Sequence, residues 1–279
     1  MTQEELGKFS NEQLPIGIFD SGVGGLTVVR AMRRALPHED IVYLGDTARV
    51  PYGTKSPSTV VRFSCEDTQF LLHHHVKAVI VGCSTVSAWA LPILERRFEV
   101  PVIGVIMPGV RAALEHTRNG RIGVIGTPGT IRSLAYNRAI LMHRPKARVF
   151  AHACPLLVPL VEEGWIHHPV TQMVLRDYLE PLRHHKIDTL ILACTHFPLL
   201  RDAIRQTIGD KVALVDCADT CAHFTRERLE ELHLLNRDRR RAGHLQAFVT
   251  DEPERFTKLA KRFLGARIEP ALQVVLPPM

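Results

Sequence analysis

Two stretches decide how this chain is read: Ala78-Val-Ile-Val-Gly-Cys-Ser-Thr85 and Thr189-Leu-Ile-Leu-Ala-Cys-Thr-His196. Each is an apolar run of strand length, then a small residue, a cysteine and a hydroxyl residue. Short aliphatic runs of this kind read as strands. Upstream of the first stretch, Ile16-Gly-Ile-Phe19 and Ile41-Val-Tyr-Leu44 read as strands, with helices over 26–36 and 58–74. Downstream, a helix is expected over 84–98 and a strand at Val102-Ile-Gly-Val105.

The same order then begins again. Ile122-Gly-Val-Ile125 reads as a strand, 131–142 as a helix, Ala147-Arg-Val-Phe150 as a strand, 170–183 as a helix and Leu190-Ile-Leu192 as a strand. Ala213-Leu-Val215 closes that set. The tail adds a helix over 222–235, a strand at Gln246-Ala-Phe-Val249 and a helix over 254–263. Strand–helix alternation builds parallel sheets through crossover helices. Ile16 lies 67 residues before Cys83, and Ile122 lies 72 before Cys194, so a duplicated unit explains the match. The expected fold is therefore α/β, with two pseudo-symmetric doubly wound parallel-sheet domains facing each other across an active-site cleft. Residues 15–106 with 218–279 would form one domain and 107–217 the other, with 1–14 as an extension.

In open parallel sheets ligands bind beyond the carboxyl ends of the strands, where both cysteines fall. A following helix turns free N–H groups toward the sulfur, which favours thiolate. Two thiols on opposite sides of one molecule suit inversion at carbon: one removes a proton and the other returns one to the opposite face. Neither cysteine belongs to a C-x-x-C redox motif. Asp20, at the end of the first strand, and His196, two residues past Cys194, are the groups expected to tune the thiols. Asp20-Ser-Gly-Val-Gly-Gly25 lacks the third glycine of a dinucleotide loop and is read as an anion-binding turn.

Composition narrows the class. The 279 residues carry 46% hydrophobic and 23% charged side chains, the balance of a globular protein. No apolar run approaches the roughly 20 residues of a membrane span. The polar, acid-bearing start is unlike a secretory or transit segment, so a cytoplasmic enzyme with reduced thiols is expected. Cys65 and Cys154 read as structural thiols, as do Cys217 and Cys221, whose spacing fits no standard zinc pattern; no metal is expected. The net charge of +6 is dispersed apart from the run at 237–241, so a dedicated nucleic-acid site is not expected. His73–His75 read as a solvated helix end; Trp89, Trp165, Met32, Met107 and Met173 read as packing residues.

Taken together, Gly17-Ile-Phe-Asp-Ser-Gly-Val-Gly-Gly-Leu-Thr27, Gly45-Asp-Thr47 with Pro51-Tyr-Gly53, Gly82-Cys-Ser-Thr85, residues 155–162 (PLLVPLVE) and Cys194-Thr-His-Phe-Pro-Leu-Leu200 closely resemble the glutamate racemases. These are cofactor-independent enzymes that supply D-glutamate for peptidoglycan. The resemblance implies that Cys83 is the base toward D-glutamate, with Asp20 beside it. Cys194 would be the base toward L-glutamate, with His196 and Glu162 beside it. Ser21, Pro51, Tyr52, Gly53, Ser84, Thr85, Thr127 and Thr195 would hold substrate. No cofactor is implied, and a homodimer is the usual assembly. Two positions depart: the family usually has Asn where this chain has Ser84, and Tyr where it has Phe197. A competing reading keeps the fold but makes the chain a binding partner, for example of a DNA topoisomerase. A second makes it a racemase of another acidic amino acid such as aspartate.

Overall fold

The computed structural model describes residues 11–276. Six strands form one sheet: β1 (Ile16–Asp20), β2 (Ile41–Gly45), β3 (Ala78–Val81), β4 (Val102–Gly104), β9 (Leu245–Val249) and β10 (Leu272–Gln273). Four form another: β5 (Arg121–Gly126), β6 (Arg148–Ala153), β7 (Thr189–Ala193) and β8 (Ala213–Asp216). The orders are β10-β9-β2-β1-β3-β4 and β6-β5-β7-β8, and every pairing is parallel. Since β2-β1-β3-β4 repeats as β6-β5-β7-β8, the halves share one topology, and the end of the chain returns to the first sheet. β1, β2, β3 and β7 are buried along their whole length, which is why they read as near-continuous apolar runs.

Ile106–His116 crosses from the first sheet to the second and was not expected as a helix, because Pro108-Gly109 looks like a turn. Pro108 lies in the first turn, where a missing N–H costs nothing. A Cβ at Gly109 would sit 2.8 Å from Cys217 Sγ, so the residue is small for close packing. Two expected helices are broken. The segment 84–98 splits into Ser84–Trp89 and Leu91–Arg97, the second starting with Pro92 in its first turn. The segment 131–142 becomes Pro128–Arg132 and Ala135–His143, separated at Leu134 with φ +55°. The helix expected from 222 begins earlier, at Cys217, because Asp216 accepts the Ala218 N–H at 2.9 Å.

Several side chains expected to pack do not. Trp165 (44%), Met107 (41%) and Met173 (63%) are exposed, whereas Met32 is fully buried. His74 is half-buried beside Phe70 and Phe248, with centroid distances of 4.8 and 4.6 Å. Of the expected N-terminal extension, residues 1–10 lie outside the described residues. Among the described residues, no helix is long and apolar enough to cross a membrane.

Candidate active site

Parallel register puts the chemistry at one edge of each sheet. Phe19 pairs with Val81, so Asp20 and Cys83 emerge on neighbouring strands. Gly126 pairs with Ala193, so Thr127 and Cys194 emerge the same way in the other half. Cys83 occupies the cap position of the helix Ser84–Trp89. Cys194 departs from the expected pattern: the tight turn Phe197–Leu200 follows it before the helix Arg201–Ile208.

The two edges face each other around a cavity of about 340 Å³, within the size range of small-molecule sites. Cys83, Ser84 and Thr85 line one wall, and Cys194, Thr195, His196 and Glu162 the other. Ser21, Pro51, Tyr52, Gly53 and Thr127 complete the ring of expected residues. Asp20 is not among the lining residues; it is 1% exposed, and its charge acts on Cys83. Val50, Pro155, Val158 and Pro159 form apolar wall that the sequence reading did not single out, although 155–162 carried part of the resemblance. No Lys or Arg lines the cavity, so a carboxylate there would meet hydroxyls and backbone N–H groups.

Both thiols are 7% exposed. Burial pushes Cys83 up to about 11, and the Asp20 charge pushes the same way. The backbone N–H groups of Val86 and Thr85 and the Ser21 hydroxyl, 3.7 Å from Sγ, pull it down but do not prevail. Burial raises Cys194 further; the His196 N–H opposes this and Cys83 adds to it. The helix start acts in the expected direction, yet desolvation outweighs it. Desolvation thus works against the expected thiolate bias at both sulfurs.

Each thiol has a titratable neighbour. His196 Nδ1 lies 3.9 Å from Cys194 Sγ, and His196 Nε2 lies 2.9 Å from Glu162 Oε1. Burial raises Glu162, but its bond to His196, the His196 charge and Arg255 leave it below the ordinary value. Burial raises Asp20 above the usual carboxylate range, against the His196 charge and the N–H groups of Gly22 and Gly25.

The glycine-rich turn after β1 is shaped by close packing against the other half. The first N–H groups of the helix Leu26–Ala35 are consumed locally, Leu26 N donating to Val23 O and Thr27 N to Gly24 O. A Cβ on Gly24 would come within 2.3 Å of Thr195 Oγ1 and 2.6 Å of the His196 ring. The turn is bare so that it can seat against the second cysteine's loop, where Thr27 Oγ1 also donates to Thr195 O at 2.9 Å. The halves meet again at three hydroxyls: Thr85 Oγ1 lies 2.9 Å from Thr127 Oγ1 and 3.1 Å from Thr130 Oγ1. The Ser84 side chain hydrogen-bonds the Tyr136 hydroxyl, which reaches Cys217 Sγ at 3.3 Å.

Residues 16–225 match the Asp/Glu/Hydantoin racemase family. A glutamate racemase of Geobacter metallireducens is 51% identical over 261 residues, covering 94% of this chain and 96% of that one. The glutamate racemase of Thermus thermophilus, solved with beta-chloro-D-alanine, superposes with a TM-score of 0.87 at 45% identity, covering 96% and 99% of the two chains. That of Francisella tularensis, solved with D-glutamate, gives 0.88 at 38% identity, covering 95% and 98%. On this match, with two cysteines from equivalent strand ends around one cavity, the chain belongs to the Asp/Glu/Hydantoin racemase family and is an amino-acid racemase.

Proposed function

We propose that the chain interconverts L- and D-glutamate by a cofactor-independent two-thiol mechanism and supplies D-glutamate for peptidoglycan in the cytoplasm. The observation that carries this reading is the pair of buried thiols, one from each half, lining a cavity sized for a small amino acid. Relatives named for the same reaction, two of them solved with D-amino-acid ligands, support the choice of substrate.

From L-glutamate, Cys194 as thiolate takes the α-proton while Cys83 as thiol delivers one to the opposite face; from D-glutamate the roles exchange. His196, steadied by Glu162, receives the Cys194 proton, and Asp20 receives that of Cys83. The substrate's α-ammonium, next to the reacting carbon, favours a thiolate nearby, provided its carboxylates are neutralised by the hydroxyls and N–H groups of the cavity, which has no Lys or Arg. Ser21, Ser84, Thr85, Thr127 and Thr195 hold the carboxylates, with Tyr52 and Gly53 contributing main-chain N–H groups and Pro51 shaping the wall. The division into 15–106 with 218–279 and 107–217 belongs to this proposal and is supported by the partition of strands between the sheets. The homodimer does too, and light scattering reads it.

Incubation with L-glutamate in deuterium oxide, without pyridoxal phosphate, should yield D-glutamate deuterated at the α-carbon. Cys83→Ala and Cys194→Ala should each abolish racemisation. Normal turnover in both variants would remove the mechanism, and turnover of aspartate alone would replace the substrate.

A further inference from the structure

Beside the chain that leads into Pro51, Tyr52 and Gly53 lies a buried charged cluster that no step above uses. Arg49 is at its centre. Its Nε donates to Asp46 Oδ2 at 2.6 Å, its Nη2 to Asp67 Oδ1 at 3.0 Å and its Nη1 to Glu66. The guanidinium lies 4.1 Å over the Phe63 ring. Asp46 and Asp67 are fully buried and Tyr52 is nearly so. One cation thus faces three acids.

The Tyr52 hydroxyl meets two of them, Asp46 Oδ2 and, at 3.1 Å, Asp67 Oδ2. A phenol has one proton to donate, so it fully satisfies only one of the two carboxyls, and a proton held on the other would complete the second contact by donating to the phenol oxygen. Asp46 also accepts from Arg49 and, on Oδ1, from the Thr250 hydroxyl at 2.9 Å, so all its contacts suit an anion. Asp67 has only Arg49 and Tyr52 as donors among the described residues, so of the two it is the better suited to hold a proton. Burial, then the Asp46 charge, hold it well above the carboxylate range against Arg49, in the same sense. The cluster joins the end of β2, the helix Pro57–His73 and the end of β9 to the segment that lines the cavity.

We infer that Arg49, with Asp46, Tyr52 and a protonated Asp67, forms a positioning cluster that fixes the main chain of residues 51–53 and thereby sets substrate affinity. It acts through that segment and not on the reacting atoms. The kinetic part rests on the glutamate reading.

KM, kcat and thermal stability of Arg49→Lys, Asp67→Ala and Asp67→Asn test it. A lysine ammonium cannot fork to three carboxylates, so Arg49→Lys raises KM about tenfold with kcat within about twofold. Asp67→Ala does the same. Asp67→Asn keeps the wild-type KM, because its amide offers an acceptor to Arg49 and a donor to Tyr52, as the protonated acid does. Should Arg49→Lys fail to fold, the Asp67 pair decides. Unchanged KM in Asp67→Ala, a loss of kcat in place of affinity, or an Asp67→Asn as impaired as Asp67→Ala overturns the inference. A readout free of turnover is the infrared band of a protonated carboxyl, present in the wild type and lost in Asp67→Asn; its absence from the wild type overturns the assignment. Wild-type protein that shows the band but does not racemise glutamate refutes the substrate reading and leaves the trapped proton standing.

Discussion

The ionisation of Cys83 can be measured directly. Its thiol stands at about 11 against an ordinary 9.0, with burial the larger cause and Asp20 the next. Below both values the thiolate fraction changes tenfold per unit, so at neutral pH Cys83 should hold about a hundredfold less thiolate than an exposed cysteine. The perturbation is Asp20→Asn, which removes the neighbouring charge and leaves the burial. The assay is alkylation by iodoacetamide, followed at the Cys83 peptide by mass spectrometry from neutral to strongly alkaline pH without substrate. In the wild type the rate should climb about tenfold per pH unit and level off near 11. In Asp20→Asn the midpoint should fall yet stay above 9.0, because burial is the larger cause. A wild-type midpoint at or below 9.0 would refute the reasoning, since desolvation could not then outweigh the helix-start N–H groups.

Lys77 and Glu39 form an ion pair at 2.5 Å, with side chains 1% and 2% exposed, so Lys77→Met leaves a buried carboxylate without its cation. It should cost about 3–5 kcal/mol in urea unfolding, and a loss below about 1 kcal/mol would contradict that. Gly53→Ala places a Cβ 2.7 Å from Thr127 Cβ where the halves touch; KM should rise with little change in thermal stability, and an unchanged KM would mean the contact is slack. Glu162 lies below its unfolded value of 4.5, so its contribution to stability is present above pH 4.5 and lost as pH falls through the folded value. The difference in melting temperature between wild type and Glu162→Gln should shrink on acidification below pH 4.5, and a constant difference would tell against the His196–Glu162 pair.

Much of the fold is legible along the chain. Strands buried on both faces leave runs such as Ala78–Val81 and Thr189–Ala193, which need no tertiary knowledge to recognise. The helix breaks were not legible. Leu134 adopts a left-handed conformation that its residue type does not announce, and Pro108-Gly109 reads as a turn although both sit inside a helix. The ring of site residues was accessible because each follows a strand or lies in a family motif. The Arg49 cluster was not, because Asp46, Glu66, Asp67 and Thr250 are brought together from separate elements.

Sequence by itself determined the succession of strands and helices in each half, the duplication and the placing of Cys83 and Cys194 at strand ends, because periodicity and residue size act over neighbouring positions. Only the tertiary structure decided that burial raises both thiols, that Gly24 is bare in order to seat against Thr195 and His196, and that Asp46 and Asp67 converge on the Tyr52 hydroxyl. Those outcomes depend on how much water is excluded and which charges end up within a few ångströms, and both are properties of the packed chain.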